Sequence, residues 1–158
     1  EQYIIGRNTT GATILNGRVV QISGGQGDQT LVSLSAGQGL AIGVTTEDIA
    51  NNSTGRVTTF GIVHDLNTSA FNDGDRVYSS GTGTLTTSPS GSFVGIILNA
   101  NANAGTVLVF PFSFDNPDGT TAARPAVRPT GYMYFDSTLG IPIWWSGANW
   151  VNASGATV

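Results

Sequence analysis

Pro129 to Gly155 reads PTGYMYFDSTLGIPIWWSGANWVNASG. This stretch holds all three tryptophans, Tyr132, Tyr134 and the only methionine. Tyr132 to Phe135, Ile141 to Trp145 and Asn149 to Val151 are short runs of aromatic and aliphatic residues. Ser137-Thr138-Leu139-Gly140 and Ser146-Gly147-Ala148 separate them as turns. The pattern predicts a three-stranded β-meander. A unit this small, without cysteine, has little besides aromatic packing to hold it together. Successive side chains on a strand face opposite ways, so Trp144 and Trp145 point to opposite sides. One of them meets the meander's own core. The other needs a partner surface, a neighbouring subunit or a ligand. Tyr132, Tyr134, Trp144, Trp145 and Trp150 are therefore the candidate contact residues. They either pack, as the core of the unit and against a second subunit, or stack on the apolar faces of sugar rings. Packing is the simpler reading.

Upstream, the chain is written in the same short units. There are 22 glycines, and no window shows clean helical spacing of apolar residues. Runs rich in Val, Ile, Thr and aromatics recur between Gly, Asn and Asp turns, which is the all-β signature. Tyr3 to Ile5, Arg18 to Ser23, Thr30 to Ala36, Arg56 to Val63 and Arg76 to Ser79 read as strands, with a shorter one around Leu85. Leu40 to Val44 is more continuously apolar, as expected of a strand buried on both faces. Gly24 to Asp28 and Ser69 to Asp75 read as turns, and Glu47 to Asn51 as one helical turn. Phe93 to Leu98 and Thr106 to Phe112 flank an Asn/Ala tip as a hairpin. Residues 1–114 are thus expected to form a compact antiparallel β-module, barrel-like or sandwich-like. The composition shifts after Phe114. Asn116-Pro117, Arg124-Pro125 and Arg128-Pro129 favour extended backbone. Residues 115–130 are expected to be an extended linker, and residues 131–158 the aromatic meander.

Composition excludes several function classes. The 158 residues suit one domain with a small appendix. Only 10% are charged, against about 25% in an average domain. All six basic residues are arginines and the net charge is −4. That balance opposes nucleic-acid binding, which needs a basic face. No apolar run approaches the ~20 residues of a membrane helix, and no secretory leader is recognisable. A start at Glu1 is expected of a processed product or a fragment. The absence of cysteine removes disulfides and thiolate metal sites.

Catalytic constellations are equally sparse. The single histidine, His64, precedes Asp65, but adjacent strand residues diverge and cannot orient each other as a triad does. Asp73 and Asp75 are the carboxylate pair a glycosidase or depolymerase would use. Asn72-Asp73-Gly74-Asp75 before a strand has the simpler role of a β-turn. The tetrapeptide lacks the ligand spacing of a calcium loop. Gly24-Gly25-Gln26-Gly27-Asp28 lacks the Lys-Ser/Thr and the helix of a phosphate loop. No enzyme activity, cofactor or metal is expected.

The tail residues Tyr134-Phe135-Asp136, Thr138-Leu139-Gly140, Pro142-Ile143-Trp144-Trp145, Gly147 and Trp150-Val151 resemble the C-terminal segment of bacteriophage tail-fibre and virion appendage proteins. The first module is similar to a β-module of phage fibre and decoration proteins. The matching pieces are Gly17-Arg18-Val19-Val20, Ala41 to Ile49, Gly55 to Gly61, Leu66 to Phe71 and Gly74 to Tyr78. The resemblance implies a non-enzymatic virion structural protein on the phage particle surface, on head or tail. It implies a homotrimer in contact with other virion proteins of capsid or tail. The alternative it carries is an adhesin at a fibre tip, binding bacterial surface glycan.

Overall fold

The computed structural model describes residues 1–36, 41–89, 91–111, 118–126, 128 and 130–158. The chain divides into two units, Glu1–Ser113 and Phe114–Val158.

The first unit holds nine strands: β1 (Gln2–Asn8), β2 (Val19–Gln26), β3 (Gln29–Leu34), β4 (Ala41–Thr45), β5 (Thr54–Leu66), β6 (Arg76–Ser79), β7 (Leu85–Thr86), β8 (Phe93–Asn99) and β9 (Gly105–Val109). Their order is β1-β3-β2-β4-β5-β9-β8-β6-β7. β1 also pairs with β5, so the first five strands in this order form a ring of pairings. Beyond β5 the sheet continues to an open edge at β7, and the whole is sandwich-like rather than a closed barrel. The long strand β5 serves both parts. Up to Phe60 it pairs with β1 and β4, and from Gly61 onward it pairs with β9. Gly61, at φ +135°, sits where the strand passes from one part to the other.

The core follows from alternation. Val19 packs with Val44, Val63, Val94, Ile97 and Val107. Its neighbour Val20 packs with Ile14, Val32, Ile49 and Val57 in a second cluster. β4 and the start of β2, Val19-Val20, are therefore buried on both faces, as the continuous apolar run at Ala41 to Val44 indicates; Leu40 lies outside the described residues. Burying each such side chain contributes about 1.5–3 kcal/mol.

Several local expectations are corrected. Glu47 to Asn51 forms no helical turn. Ile49 instead makes an isolated antiparallel bridge to Ile14, with reciprocal backbone hydrogen bonds of 2.7 and 3.0 Å. Its burial in the second cluster outweighs any local helical preference. The module is not wholly antiparallel, because β1 runs parallel to β3. The turn expected at Gly24 to Asp28 shrinks to Gly27-Asp28, since β2 continues past a bulge and pairs Gln26 with Gln29. The hairpin of β8 and β9 forms as expected, with Phe112 outside the described residues.

The second unit contains β10 (Asp118–Gly119), a 3₁₀ turn (Thr121–Ala123), β11 (Met133–Asp136), β12 (Ile141–Trp145) and β13 (Trp150–Val151). β11, β12 and β13 are the expected antiparallel meander. A fourth strand, β10, joins β11 in parallel, with Asp118 opposite Phe135. It comes from the stretch expected as linker, of which residues 115–117, Val127 and Pro129 lie outside the described residues. Hydrogen bonds fix it there: the Ser137 N–H donates to the Gly119 carbonyl at 2.8 Å, and the Tyr134 hydroxyl to the Thr120 carbonyl at 3.3 Å.

Candidate functional site: the aromatic sheet and a cleft on the large module

Register decides how the five candidate aromatics are used. Tyr134 lies opposite Ile143, and Trp145 opposite Trp150. These four share one face. Tyr134, Ile143 and Trp150 are buried, with Tyr132 and Trp145 packed against them. The Trp150 ring is the hub, with centroids 5.5 Å from Trp145, 5.6 Å from Tyr134 and 6.2 Å from Tyr132. The Trp145 and Tyr132 rings meet Trp150 edge to face, the arrangement the aromatic quadrupole favours, and Tyr134 meets it tilted. The Arg128 guanidinium lies 5.2 Å from the centroid of the Tyr132 ring. Trp144 stands on the opposite face, between Met133 and Val151 across the strands. Phe135, on that same face, is 42% exposed. Trp145 is thus the inward member of the pair and Trp144 the outward one.

Below the aromatic core lies a polar clip that sequence reasoning missed. Asp136 is fully buried. One carboxylate oxygen accepts from the Arg124 Nε at 2.6 Å and the Thr121 hydroxyl at 2.9 Å. The other accepts from the backbone N–H groups of Thr138 and Leu139 at 2.9 and 3.0 Å. A signal was available: Tyr134 and Asp136 alternate on one strand, so a carboxylate on the core face needs a buried cation and donors. The clip holds the 3₁₀ turn against the sheet. Burial alone would push the Asp136 carboxyl up. The Leu139 N–H, the Arg124 guanidinium and the Thr121 hydroxyl outweigh it and hold the carboxyl below its ordinary range. Burial, followed by the Asp136 and Asp118 charges, pushes the Tyr134 phenol up.

A pH prediction follows. A carboxylate with a depressed native pKa stabilises the fold above its unfolded value, about 3.9. That contribution is lost as pH falls through the native value, because the unfolded chain then binds the proton more readily. The small sheet is expected to keep its tryptophan fluorescence from pH 8 to 5 and to lose it only at more acid pH. A transition centred above pH 5 would show that another group controls it.

The carboxylates considered for catalysis accept backbone hydrogen bonds. Asp73 caps the Ala100 N–H at 2.7 Å, and Asp75 caps the Asn72 N–H at 2.8 Å, as the turn reading expects. Glu47 accepts from the Arg56 N–H and Asp48 from the Asn16 N–H. His64 and Asp65 are both exposed. Among the described residues no group of His, Asp and Glu could hold a metal ion. No helix among them is long and apolar enough to cross a membrane.

The large module carries a cleft of about 450 Å³. Leu66, Phe71 and Leu85 belong to or pack on the main core at its base. Leu15, 48% exposed, and Arg18 also line it.

A family model of phage cement proteins matches residues 3–111. The chain belongs to the phage cement protein family. It is a phage decoration or appendage protein, and its place is on the virion particle. The match coincides with the large β-module; the aromatic sheet lies beyond it. The chain is also similar to the N base of head fibre gp8.5 of bacteriophage phi29. That likeness has a TM-score of 0.50 and 17% identity, and covers 72% of this chain and 98% of that one. At this identity it is a likeness of fold. No curated protein matches the chain. The resemblance to phage fibre and decoration modules is thereby confirmed for the large module, while the C-terminal aromatic motif rests on the resemblance alone.

Proposed function

We propose that this protein is a non-enzymatic decoration subunit of the phage head that assembles as a homotrimer. The cement module docks on the capsid. The aromatic sheet, β10 to β13, supplies contacts between subunits through Trp144. The observation that carries the head assignment is the cement-family match over residues 3–111. The trimer reading is supported by the small sheet itself. Its outer face carries Met133, Phe135, Pro142, Trp144 and Val151, with a single acidic residue, Asp118, at the β10 edge. A glycan-binding tip would use accessible aromatic rings, and here Tyr134 and Trp150 are only 3% and 7% exposed.

Light scattering of the full chain tests the assembly. The expected mass is three times that of one chain. Trp144→Ala is expected to lower it toward one chain while leaving the β circular dichroism unchanged, because the ring is not part of the buried core. A wild-type mass of one chain would refute the trimer. An unchanged trimer of Trp144→Ala would move the contact elsewhere.

A further inference from the structure

The cleft of the cement module holds a cation that none of the described residues satisfies. Five arginines are engaged within the structure. Arg124 pairs with Asp136 at 2.6 Å, and Arg7 donates to Gln29 at 2.7 Å. Arg56, Arg76 and Arg128 lie 5.3, 5.0 and 5.2 Å from the ring centroids of Tyr3, Phe93 and Tyr132. Among the described residues, Arg18 is the arginine whose side chain makes no hydrogen bond, ion pair or ring contact. It is nonetheless partly buried. Its backbone is fixed, with the N–H donating to the Thr45 hydroxyl at 2.9 Å. The Asp48 carboxylate nearby in the fold turns to the Asn16 N–H at 2.7 Å and forms no ion pair with it.

We infer that this cleft takes an acidic, apolar peptide segment of another virion protein, with one large apolar side chain over Leu66, Phe71 and Leu85 and a carboxylate on Arg18. The apolar floor and exposed Leu15 supply the hydrophobic contact. The guanidinium supplies a planar, permanently charged partner for a carboxylate. Charge complementarity selects the occupant. A basic segment would meet the unpaired arginine, and a purely apolar one would cover it without compensation.

This inference rests on the decoration reading, and the test separates the two. The probe is the purified particle of the parent phage assembled without this chain. Full-length protein is titrated onto it, and bound copies are counted after sedimentation. Wild type is expected to saturate. Arg18→Gln is expected to bind about 10-fold more weakly, and Arg18→Glu about 100-fold more weakly through like-charge repulsion. Arg18→Lys is expected to bind better than Arg18→Gln but below wild type, since the charge stays and the planar fork is lost, and Leu15→Asp is expected to lose binding. Both positions, Arg18 and Leu15, carry side chains at least partly exposed, and circular dichroism checks that each variant is folded. If wild type binds and Arg18→Glu binds equally well, the inference is wrong while the decoration reading stands. If wild type does not bind at all, both fail. If Arg18→Glu lowers the solution mass of the free protein, the cleft is occupied by a second copy of this chain and the inference is overturned.

Discussion

Trp150→Ala is expected to unfold the small sheet. Trp150 is 7% exposed and is the one ring that touches Trp145, Tyr134 and Tyr132 together. Truncating a buried tryptophan costs about 3–5 kcal/mol. A core of this size rarely supplies more than about 3–5 kcal/mol in total. The loss therefore equals what the unit has, so the outcome is loss of structure rather than a lowered transition. The near-ultraviolet circular dichroism of the remaining tryptophans should collapse to the baseline of a mobile ring. The strand signal of the cement module should persist, because its two clusters contain none of these residues. Trp144→Ala provides the contrast, since it is expected to leave the near-ultraviolet signal of Trp145 and Trp150 in place. A Trp150→Ala protein with an intact near-ultraviolet spectrum would show that the sheet is held by something other than its aromatic hub.

Gly43→Val is expected to destabilise the cement module by about 3 kcal/mol. The reason is backbone, not side chain. A Cβ on Gly43 would stand 2.1 Å from the carbonyl oxygen of Thr58 and 2.9 Å from its carbonyl carbon. A flexible side chain could swing away, whereas a carbonyl in β5 cannot move without parting the strands. β4 and β5 are paired only through Val44–Thr58 and Thr45–Val57. Separating them disturbs both core clusters, because Val44 belongs to one and Val57 to the other. Even Gly43→Ala should lower the denaturant midpoint measurably. Valine adds two further methyl groups in the same space. A denaturation curve of Gly43→Val that overlays the wild type would contradict the close approach of β4 and β5.

Much of this architecture is legible from local pattern. The Val19-Val20 pair and the run Ala41 to Val44 announce strands buried on both faces. Trp144 and Trp145 announce, by alternation, that one ring lies inward and one outward. Which of them lies inward depends on the pairing of Trp145 with Trp150, and that register is a property of two strands together. Contacts distant in sequence were the hardest to foresee. Residues Glu47 to Asn51 have a helix-compatible composition, yet Ile49 is captured by Ile14. Nothing within either segment signals the other. The strand β10 is an Asp-Gly pair, poor in strand propensity. It is held by Tyr134, Ser137 and the nearby Asp136 clip rather than by its own residues. The ring closure between β1 and β5 is likewise a tertiary outcome. For the site, the five aromatics were legible as a group because they are concentrated in one stretch. Arg18 was not, because its significance is the absence of a partner, and that can be seen only when the other arginines have been placed.

The account as a whole stands on the cement module seated on the phage head, and imaging the particle tests that most directly. Particles carrying this protein are labelled with an antibody to the chain and viewed by electron microscopy. The account predicts label distributed over the capsid surface, and none on particles assembled without the chain. Label confined to the tail or its tip would contradict it.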